Sequence, residues 1–277
     1  MGKTMKSLVS IVTPVYNGSK YIEELILSVL DQDYPCIEHI VIDDGSNDNG
    51  ATVEILKRYP HLRWWSRPNK GAYATINEGL VASKGELLTV ICADDMYASR
   101  TALSSAVNLW VSNPNYDAVF GETLLVDING RELDNEPPMS GPIWMFRYCP
   151  IVSHCSLLVR RSVVIDGGMF FDLSFPYEAD HDWIIRLIRA GCHFRRLRKP
   201  IAKFRLHPMQ RGQTMNAARC EERRRITQQY GEVNQVILYV IKMWRQGNKL
   251  KHLLRCRGFL GCLGAINERF SHGETMQ

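Results

Sequence analysis

Two pairs of adjacent carboxylates each stand at the end of an apolar run. Asp43-Asp44 follows the run 40–42, and Asp94-Asp95 follows the run 87–93. Such runs are typical of buried β-strands, so the acids stand at the carboxyl ends of two strands. In an open α/β sheet, ligands bind at that end. Adjacent carboxylates repel each other unless a positive charge lies beside them, and a divalent cation meets this need best.

The elements that must position these pairs alternate along the first 115 residues. Strand patterns cover 8–15, 38–42, 62–65 and 87–91, and helical patterns cover 22–30, 52–59, 72–83 and 103–111. This alternation predicts a parallel sheet with right-handed crossovers. Further on we predict strands at 119–126, 156–159, 193–197 and 201–206, a hairpin turn at 129–130 and a helix from about 180 to 191. The fold class is therefore α/β: a mostly parallel sheet flanked by helices, with a C-terminal helical extension.

The composition restricts the class of protein. The 277 residues carry a net charge of +5, and the basic clusters lie late in the chain. Those clusters lack regularly interleaved aromatic residues and any recognised nucleic-acid-binding module, so we expect no nucleic-acid partner. The eight cysteines show neither zinc-knuckle nor disulfide spacing and predict reduced thiols in a cytoplasmic protein. No run reaches the ~18 apolar residues of a membrane span, and no dinucleotide fingerprint or P-loop occurs.

Several short motifs carry a family resemblance. They are Thr13–Asn17, Asp43–Ser46, Lys70-Gly71 with Asn77–Gly79, Gly85-Glu86 and Asp94-Asp95. In order and spacing they resemble the motifs of family-2 glycosyltransferases, which have the GT-A fold. The later segments His154–Ser156, Asp180–Asp182 and Phe204–Pro208 are similar more loosely, and the resemblance covers about residues 7–210. It implies a catalytic domain over 1–215, with a nucleotide-binding half at about 7–115 and an acceptor half at about 116–215.

The resemblance implies a hexosyltransferase that moves a sugar, with inversion, from a nucleotide-sugar donor to an acceptor hydroxyl. The expected pathway is synthesis of a surface polysaccharide or lipopolysaccharide. This chemistry needs a neutralised leaving diphosphate, a carboxylate that takes the acceptor proton, and a donor held for in-line attack.

The resemblance also implies roles for the paired acids. Asp95 resembles the acid that holds Mn²⁺ or Mg²⁺ against the diphosphate, and Asp94 should lie nearer the ribose or the donor sugar. Asp44 resembles the residue that reads the nucleobase, and because a carboxylate can accept from the uracil N–H, UDP is the expected nucleotide. Ordinary surface turns and capping of the turn after Asp43 remain alternatives for the two pairs.

Pro14, Tyr16 and Asn17 are expected to line the same nucleotide pocket, with Tyr16 offering its ring to the base. A core tyrosine at the end of the first strand is the alternative. Arg67 and Lys70 carry positive charge that suits a diphosphate, but an ordinary solvated loop would have the same composition.

Asp180 is the candidate general base. The family usually has Glu-Asp at this position, whereas this chain has Ala179-Asp180 with Glu178 one place earlier. Glu178 and Asp182 therefore remain alternatives. Asp180 could also be a helix N-cap.

Two histidines have expected roles by resemblance. His207 resembles a histidine that meets the metal or the diphosphate from a C-terminal loop, and His154 resembles one near the donor sugar or the acceptor. An imidazole can serve as a ligand or as a donor. A structural role is the alternative for each.

The extension 216–277 is basic and helical in pattern. Within it, 233–262 combines apolar and basic residues in a way that fits an anionic membrane surface. The same pattern fits a helix packed on the catalytic domain or on a second subunit of a homo-oligomer. Membrane contact would suit a lipid-linked saccharide acceptor and a location at the inner face of the cell membrane.

Other functions remain open at this point. The displaced Glu178 motivates a nucleotide-sugar-binding protein that has lost catalysis. A nucleotidyltransferase would need a glycine-rich loop after the first strand, and this chain has none there.

Overall fold

The computed structural model describes residues 7–133, 153–208 and 216–231, with single residues and short runs at 139, 141, 145, 210, 239, 242–244, 246–249 and 251–252. The described strands are β1 (Val9–Val15), β2 (Ile37–Asp43), β3 (Arg63–Ser66), β4 (Leu87–Val90), β5 (Met96–Tyr97), β6 (Ala118–Val126), β7 (Leu157–Arg160) and β8 (Phe194–Arg205). The described helices are α1 (Ile22–Leu30), α2 (Ala51–Lys57), α3 (Ala72–Ala82), α4 (Ala102–Val111), α5 (Arg161–Ile165), α6 (Ala179–Arg189) and α7 (Asn216–Tyr230).

The strands form one eight-stranded sheet in the order β3-β2-β1-β4-β7-β6-β8-β5. Strands β1 to β4 are parallel, and β1 lies between β2 and β4. β6 and β8 form a further parallel pair, whereas β7 is antiparallel to both of its neighbours and β5 is antiparallel to β8. The predicted α/β class, with a mostly parallel sheet and flanking helices, is confirmed.

Helices cover both faces of the sheet because successive side chains of a strand point to opposite faces. In β1, Ile11 packs in an apolar cluster with α1, α2 and α4. The next residue, Val12, packs in a second cluster with α3, α5 and α6. All seven residues of β1 are buried, which explains why its apolar residues stand on both faces of the strand and not at alternate positions only.

The second half of the sheet departs from the sequence prediction at one strand. Residues 193–197 and 201–206 were predicted as two strands, but Phe194–Arg205 is one strand, β8. The interruption in the pattern is Pro200, which lies opposite Glu122 where the register with β6 shifts. Proline has no N–H to donate and is tolerated at such an irregularity. The turn predicted at 129–130 is present, with Gly130 at φ +79°.

The C-terminal part is described as far as α7, in agreement with the helical pattern predicted from about 217. The segment 233–262, for which membrane contact was considered, lies largely outside the described residues. Among the described residues, no helix combines the length and the apolar character needed to cross a bilayer.

Replacing Gly79 by alanine should lower the free energy of unfolding by about 1–3 kcal/mol. A β-carbon at Gly79 would lie 2.4 Å from Val12 Cγ1, so α3 would have to move away from β1. Chemical denaturation measures this change. Val81→Ala is the matched control, because Val81 lies on the same helix and is 62% exposed; it should change stability by less than about 0.5 kcal/mol. Equal stability of wild type and Gly79→Ala would contradict the close packing of α3.

Candidate functional site

The predicted site residues of the first half meet at one edge of the sheet. Tyr16 and Asn17 follow β1, Asp44 follows β2, and Asp94-Asp95 follows β4. Because β2, β1 and β4 are parallel neighbours, their carboxyl ends lie side by side. This edge is where open α/β sheets bind ligands.

The first acidic pair has two different environments. Asp43 accepts hydrogen bonds from the Ser46 amide (3.1 Å) and hydroxyl (2.5 Å) through Oδ1, and from the Ser66 hydroxyl (2.5 Å) through Oδ2. It is 1% exposed. Asp43 therefore closes the turn after β2 and fastens it to β3, which is the capping role considered from the sequence.

Asp44 faces the start of α3. Its Oδ1 accepts from the Arg67 guanidinium and from the Lys70 amide at 2.8 Å, and its Oδ2 accepts from the Gly71 amide at 3.0 Å. Gly71 has φ +91°, a conformation that favours glycine. A carboxylate offers about four acceptor positions, of which three are occupied here, and the Asp44 side chain is 4% exposed.

Arg67 is a hub within this loop. Besides Asp44, its guanidinium donates to the Glu78 carboxylate at 2.8 Å and to the Thr75 hydroxyl at 2.9 Å. The predicted contact of Arg67 with a diphosphate stays a prediction. In the structure, its guanidinium forms ion pairs with the carboxylates of Asp44 and Glu78. Lys70 is exposed at the same loop.

The residues after β1 form the other wall. Asn17 has φ +50° and exchanges two hydrogen bonds with Asn47, at 2.7 and 2.8 Å. The Tyr16 ring is 49% exposed and is not a core tyrosine, although its hydroxyl lies 3.4 Å from Asn47 Oδ1. Pro14 is buried within β1, where it pairs with Ile42.

Asp95 is a buried acid whose carboxylate is only partly hydrogen-bonded. It is 2% exposed, and its Oδ1 accepts from the Arg205 amide at 3.1 Å. Its Oδ2 is buried and has no hydrogen-bond partner. Burial, followed by the charge of the adjacent Asp94, raises the pKa of Asp95 well above its usual range.

These residues fit a divalent cation. Ligand atoms of Cys92, Asp94 and Asp95 all lie within 4.8 Å of one another. His207 joins the group through Asp94, with its Nε2 2.9 Å from Asp94 Oδ2. The unpartnered oxygen of Asp95 is the kind of buried acceptor that a hard cation satisfies.

Arg205 holds the acidic turn in place. This side chain is 1% exposed and among the largest that are fully buried. Its Nε donates to the Asp94 carbonyl at 2.9 Å, and its guanidinium reaches the Glu24 carboxylate on α1 at 2.5 Å. The guanidinium also lies 4.7 Å from the centre of the Tyr21 ring. One buried cation thus ties β8, α1 and the turn after β4 together.

A chain of contacts links this turn to Asp180. The Cys92 Sγ lies 3.5 Å from His154 Nε2, and His154 Nδ1 lies 3.3 Å from Asp180 Oδ2. The Tyr73 hydroxyl donates to Asp180 Oδ1 at 3.1 Å. Burial alone would raise the pKa of Asp180, but the hydrogen bond and charge of His154, the charge of His181 and the bond from Tyr73 outweigh it and lower the pKa to about 2.

The two alternative bases are both enclosed by partners. Glu178 is 2% exposed and pairs with the Arg219 guanidinium of α7. Asp182 is 0% exposed and accepts from Arg186 at 2.7 Å and from the Tyr230 hydroxyl at 2.5 Å. The Asp180 side chain keeps 30% of its surface exposed. Of the three acids, Asp180 is the one that a substrate can reach.

Three residues of this site were not identified from the sequence. Arg205 and Cys92 stand inside or beside recognised motifs, but no pattern showed that a buried arginine would support the acidic turn. Tyr73 lies on α3, far from Asp180 in sequence, so only the packing brings the two together. Cys92 precedes the acidic pair by two residues, and this spacing was the one available signal.

The fold and the acidic edge define an α/β protein of the GT-A type. A sequence model of the family described as "Glycosyl transferase family 2" matches residues 10–167, which is more than half of the chain. The chain belongs to glycosyl transferase family 2.

Relatives and solved structures agree with this membership. An "Uncharacterized glycosyltransferase" of Rickettsia felis is 32% identical over 197 residues, which are 68% of this chain and 32% of the relative. The chain thus spans about a third of that relative's length. The fold is similar to that of S. aureus TarS 1–349 in complex with UDP-GlcNAc, with a TM-score of 0.64, 18% identity and coverage of 91% of this chain and 73% of TarS 1–349.

A second similar structure is the mannosyltransferase PcManGT from Pyrobaculum calidifontis in complex with GDP-Man and Mn²⁺. The TM-score is 0.62 at 18% identity, with coverage of 98% of this chain and 82% of that one. Both neighbours support the GT-A type of fold.

The pH dependence of stability should contain a contribution from Asp180. Because folding lowers its pKa from 3.8 to about 2, the carboxylate stabilises the fold above about pH 4 and this contribution is lost as the pH falls towards 2. Wild type should lose ~2 kcal/mol relative to Asp180→Asn across that window. Denaturant unfolding of both proteins between about pH 5 and about pH 3 would measure the onset. Parallel curves would contradict the His154–Asp180 pairing.

Proposed function

We propose that this protein is an inverting glycosyltransferase. It moves a sugar from a nucleotide-sugar, with UDP as the expected nucleotide, to an acceptor hydroxyl in the synthesis of a surface polysaccharide or lipopolysaccharide. The catalytic domain is proposed to span 1–215. The observation that carries the proposal is the unpartnered, buried oxygen of Asp95 beside Asp94, at the carboxyl end of β4.

Asp95, Asp94 and His207 are proposed to hold Mn²⁺ or Mg²⁺ at this edge, with Cys92 beside them. A bound divalent cation supplies Lewis-acid neutralisation of the leaving diphosphate. The buried position of Asp95 supports this assignment, since an ionised carboxylate in such surroundings needs a compensating charge. A similar fold was solved in complex with GDP-Man and Mn²⁺.

Asp44 is proposed to read the base through its remaining acceptor position. Its two backbone donors and the Arg67 guanidinium fix the carboxylate in place, so Arg67 contributes to nucleotide binding through Asp44. Tyr16 offers an exposed ring for the base, with Pro14 and Asn17 shaping the wall, and the exposed charge of Lys70 favours a diphosphate. A similar fold was solved with UDP-GlcNAc.

Asp180 is proposed to take the proton of the acceptor hydroxyl, with His154 beside the donor sugar. A carboxylate with a pKa of about 2 is ionised at neutral pH but is a weak base. Proton transfer to it becomes favourable late in the reaction, when the acceptor oxygen is already bonding to the sugar and its proton is more acidic. The hydrogen bonds from Tyr73 and His154 hold the carboxylate in one orientation, which favours in-line attack.

Asp95→Asn should weaken metal-dependent UDP binding at least about tenfold, because the amide removes the charge that a cation compensates. Calorimetric titration of UDP, with Mn²⁺ and with EDTA, measures this effect in wild type and variant. Asp31→Asn is the matched control, since Asp31 is an exposed acid at the end of α1, and this variant should bind UDP as wild type does. Equal UDP affinity in Mn²⁺ and in EDTA would overturn the metal assignment, and no binding of UDP would direct the search to GDP and dTDP donors.

Asp180→Asn should leave UDP binding unchanged and lower the rate of sugar transfer about 10²–10⁴-fold, the usual contribution of a positioned base. Transfer is measured with UDP-sugars and saccharide or lipid-linked saccharide acceptors. Asp172→Asn provides a control acid that lies outside the proposed pocket. Transfer at the wild-type rate in Asp180→Asn would refute the base assignment. A wild-type protein that binds UDP-sugars without transferring them would instead support a binding protein that has lost catalysis.

A further inference from the structure

Helix α7 packs against the start of α6, the helix that carries Asp180. Glu222 of α7 is 6% exposed, and its Oε2 accepts hydrogen bonds from the Tyr177 amide at 2.8 Å and the Glu178 amide at 2.9 Å. Helix α6 has no side-chain cap from its own N-cap residue, Glu178. A carboxylate from a distant helix therefore satisfies the amides at its N-terminus, where negative charge also suits the helix dipole.

The contact is reciprocal. The Glu178 carboxylate turns towards α7, where it pairs with the Arg219 guanidinium and lies 3.0 Å from Arg223 Nε. Glu178 is 2% exposed, so this charge is buried and depends on its partners. An acid of α7 thus holds the backbone of residues 177–178, and an acid of that segment binds the bases of α7.

Further contacts fix the orientation of α7. The Tyr230 hydroxyl donates to Asp182 Oδ1 at 2.5 Å, and the Arg225 guanidinium lies 4.7 Å from the centre of the Phe175 ring. These contacts lie on either side of the segment 177–180. Helix α7 therefore contacts α6 at two places, at the N-cap residue Glu178 and one turn later at Asp182.

The same segment also contacts Tyr73 on α3. The Tyr73 hydroxyl lies 3.2 Å from the Tyr177 carbonyl and 3.1 Å from Asp180 Oδ1. The Tyr73 ring stacks on Phe171, with ring centres 5.5 Å apart. The backbone that sets the direction of the Asp180 carboxylate is therefore bonded both to Tyr73 on α3 and to Glu222 on α7.

We propose that α7 positions the catalytic base, and that Glu222 is a positioning residue that acts on Asp180 through the amides of Tyr177 and Glu178. The inference rests on the proposed function, because it concerns the same base. Helix α7 lies outside residues 10–167, the part of the chain that the family's sequence model matches. The proposal therefore assigns a role in catalysis to a part of the chain that this model does not cover. It also gives the displaced Glu178 a role: Glu178 anchors α7 instead of taking a proton.

The test compares neighbouring acids of α7. Glu222→Ala should lower kcat at least about tenfold, because small misplacements of a catalytic group are costly, while the donor KM and the affinity for UDP stay within about twofold. Glu222→Gln keeps the size and one acceptor oxygen and should recover part of kcat. Glu221→Ala is the matched control, since the Glu221 side chain is 53% exposed and pairs with Arg224 on the surface.

Hydrogen exchange supplies a readout that does not need activity. Glu222→Ala should speed exchange of the Tyr177 and Glu178 amides at least about tenfold, while Glu221→Ala leaves it unchanged. If Glu222→Ala is too unstable to purify, the isosteric Glu222→Gln answers the same question through the exchange rates of these two amides.

The outcomes separate the two proposals. Unchanged amide exchange in the Glu222 variants would overturn the contact, and faster exchange with an unchanged kcat would overturn the positioning role. An equal loss of kcat and of UDP affinity would show a general structural effect and would also overturn it. A wild-type protein that transfers no sugar would fail the proposed function, and the exchange rates would still decide whether α7 holds the start of α6.

Discussion

The site depends on the cost of keeping two adjacent carboxylates at the end of a buried strand. Asp94 and Asp95 follow β4, and Asp95 is almost wholly enclosed. Arg205 offsets part of that cost, because its amide donates to the Asp95 carboxylate and its side chain donates to the Asp94 carbonyl. The compensation is incomplete, since one oxygen of Asp95 has no partner. This incomplete compensation makes the edge of the sheet suited to a divalent cation.

From that edge, contacts lead across the sheet to the proposed base. Cys92 contacts His154, and His154 contacts Asp180, so one chain of contacts links the acidic turn after β4 to the start of α6. The low pKa of Asp180 follows from this arrangement. The Asp44 carboxylate is held separately, by two backbone amides and the Arg67 guanidinium.

Helix α7 lies outside the sheet and packs against the start of α6. Glu222 of α7 accepts hydrogen bonds from the Tyr177 and Glu178 amides, and Arg219 of α7 pairs with the Glu178 carboxylate. Each of the two buried carboxylates therefore has a partner. The backbone of residues 177–178 is therefore bonded both to Glu222 of α7 and to Tyr73 of α3. A carboxylate held in this way loses little conformational entropy when a substrate arrives, which is what preorganisation of a site requires.

The sequence by itself determined the strand and helix pattern, the acidic pairs and the family, because apolar periodicity and short motifs are local properties of the chain. It predicted β1 to β4 and the helices between them within a residue or two, and it named Asp180 as the candidate base and Asp44 as the residue that reads the nucleobase. Only the tertiary structure showed that Asp180 is the more exposed acid of its segment, and that Arg205, Tyr73 and Glu222 contact the acidic turn and the start of α6. Those roles depend on contacts between residues far apart in sequence, and no local pattern records which side chains packing will bring together.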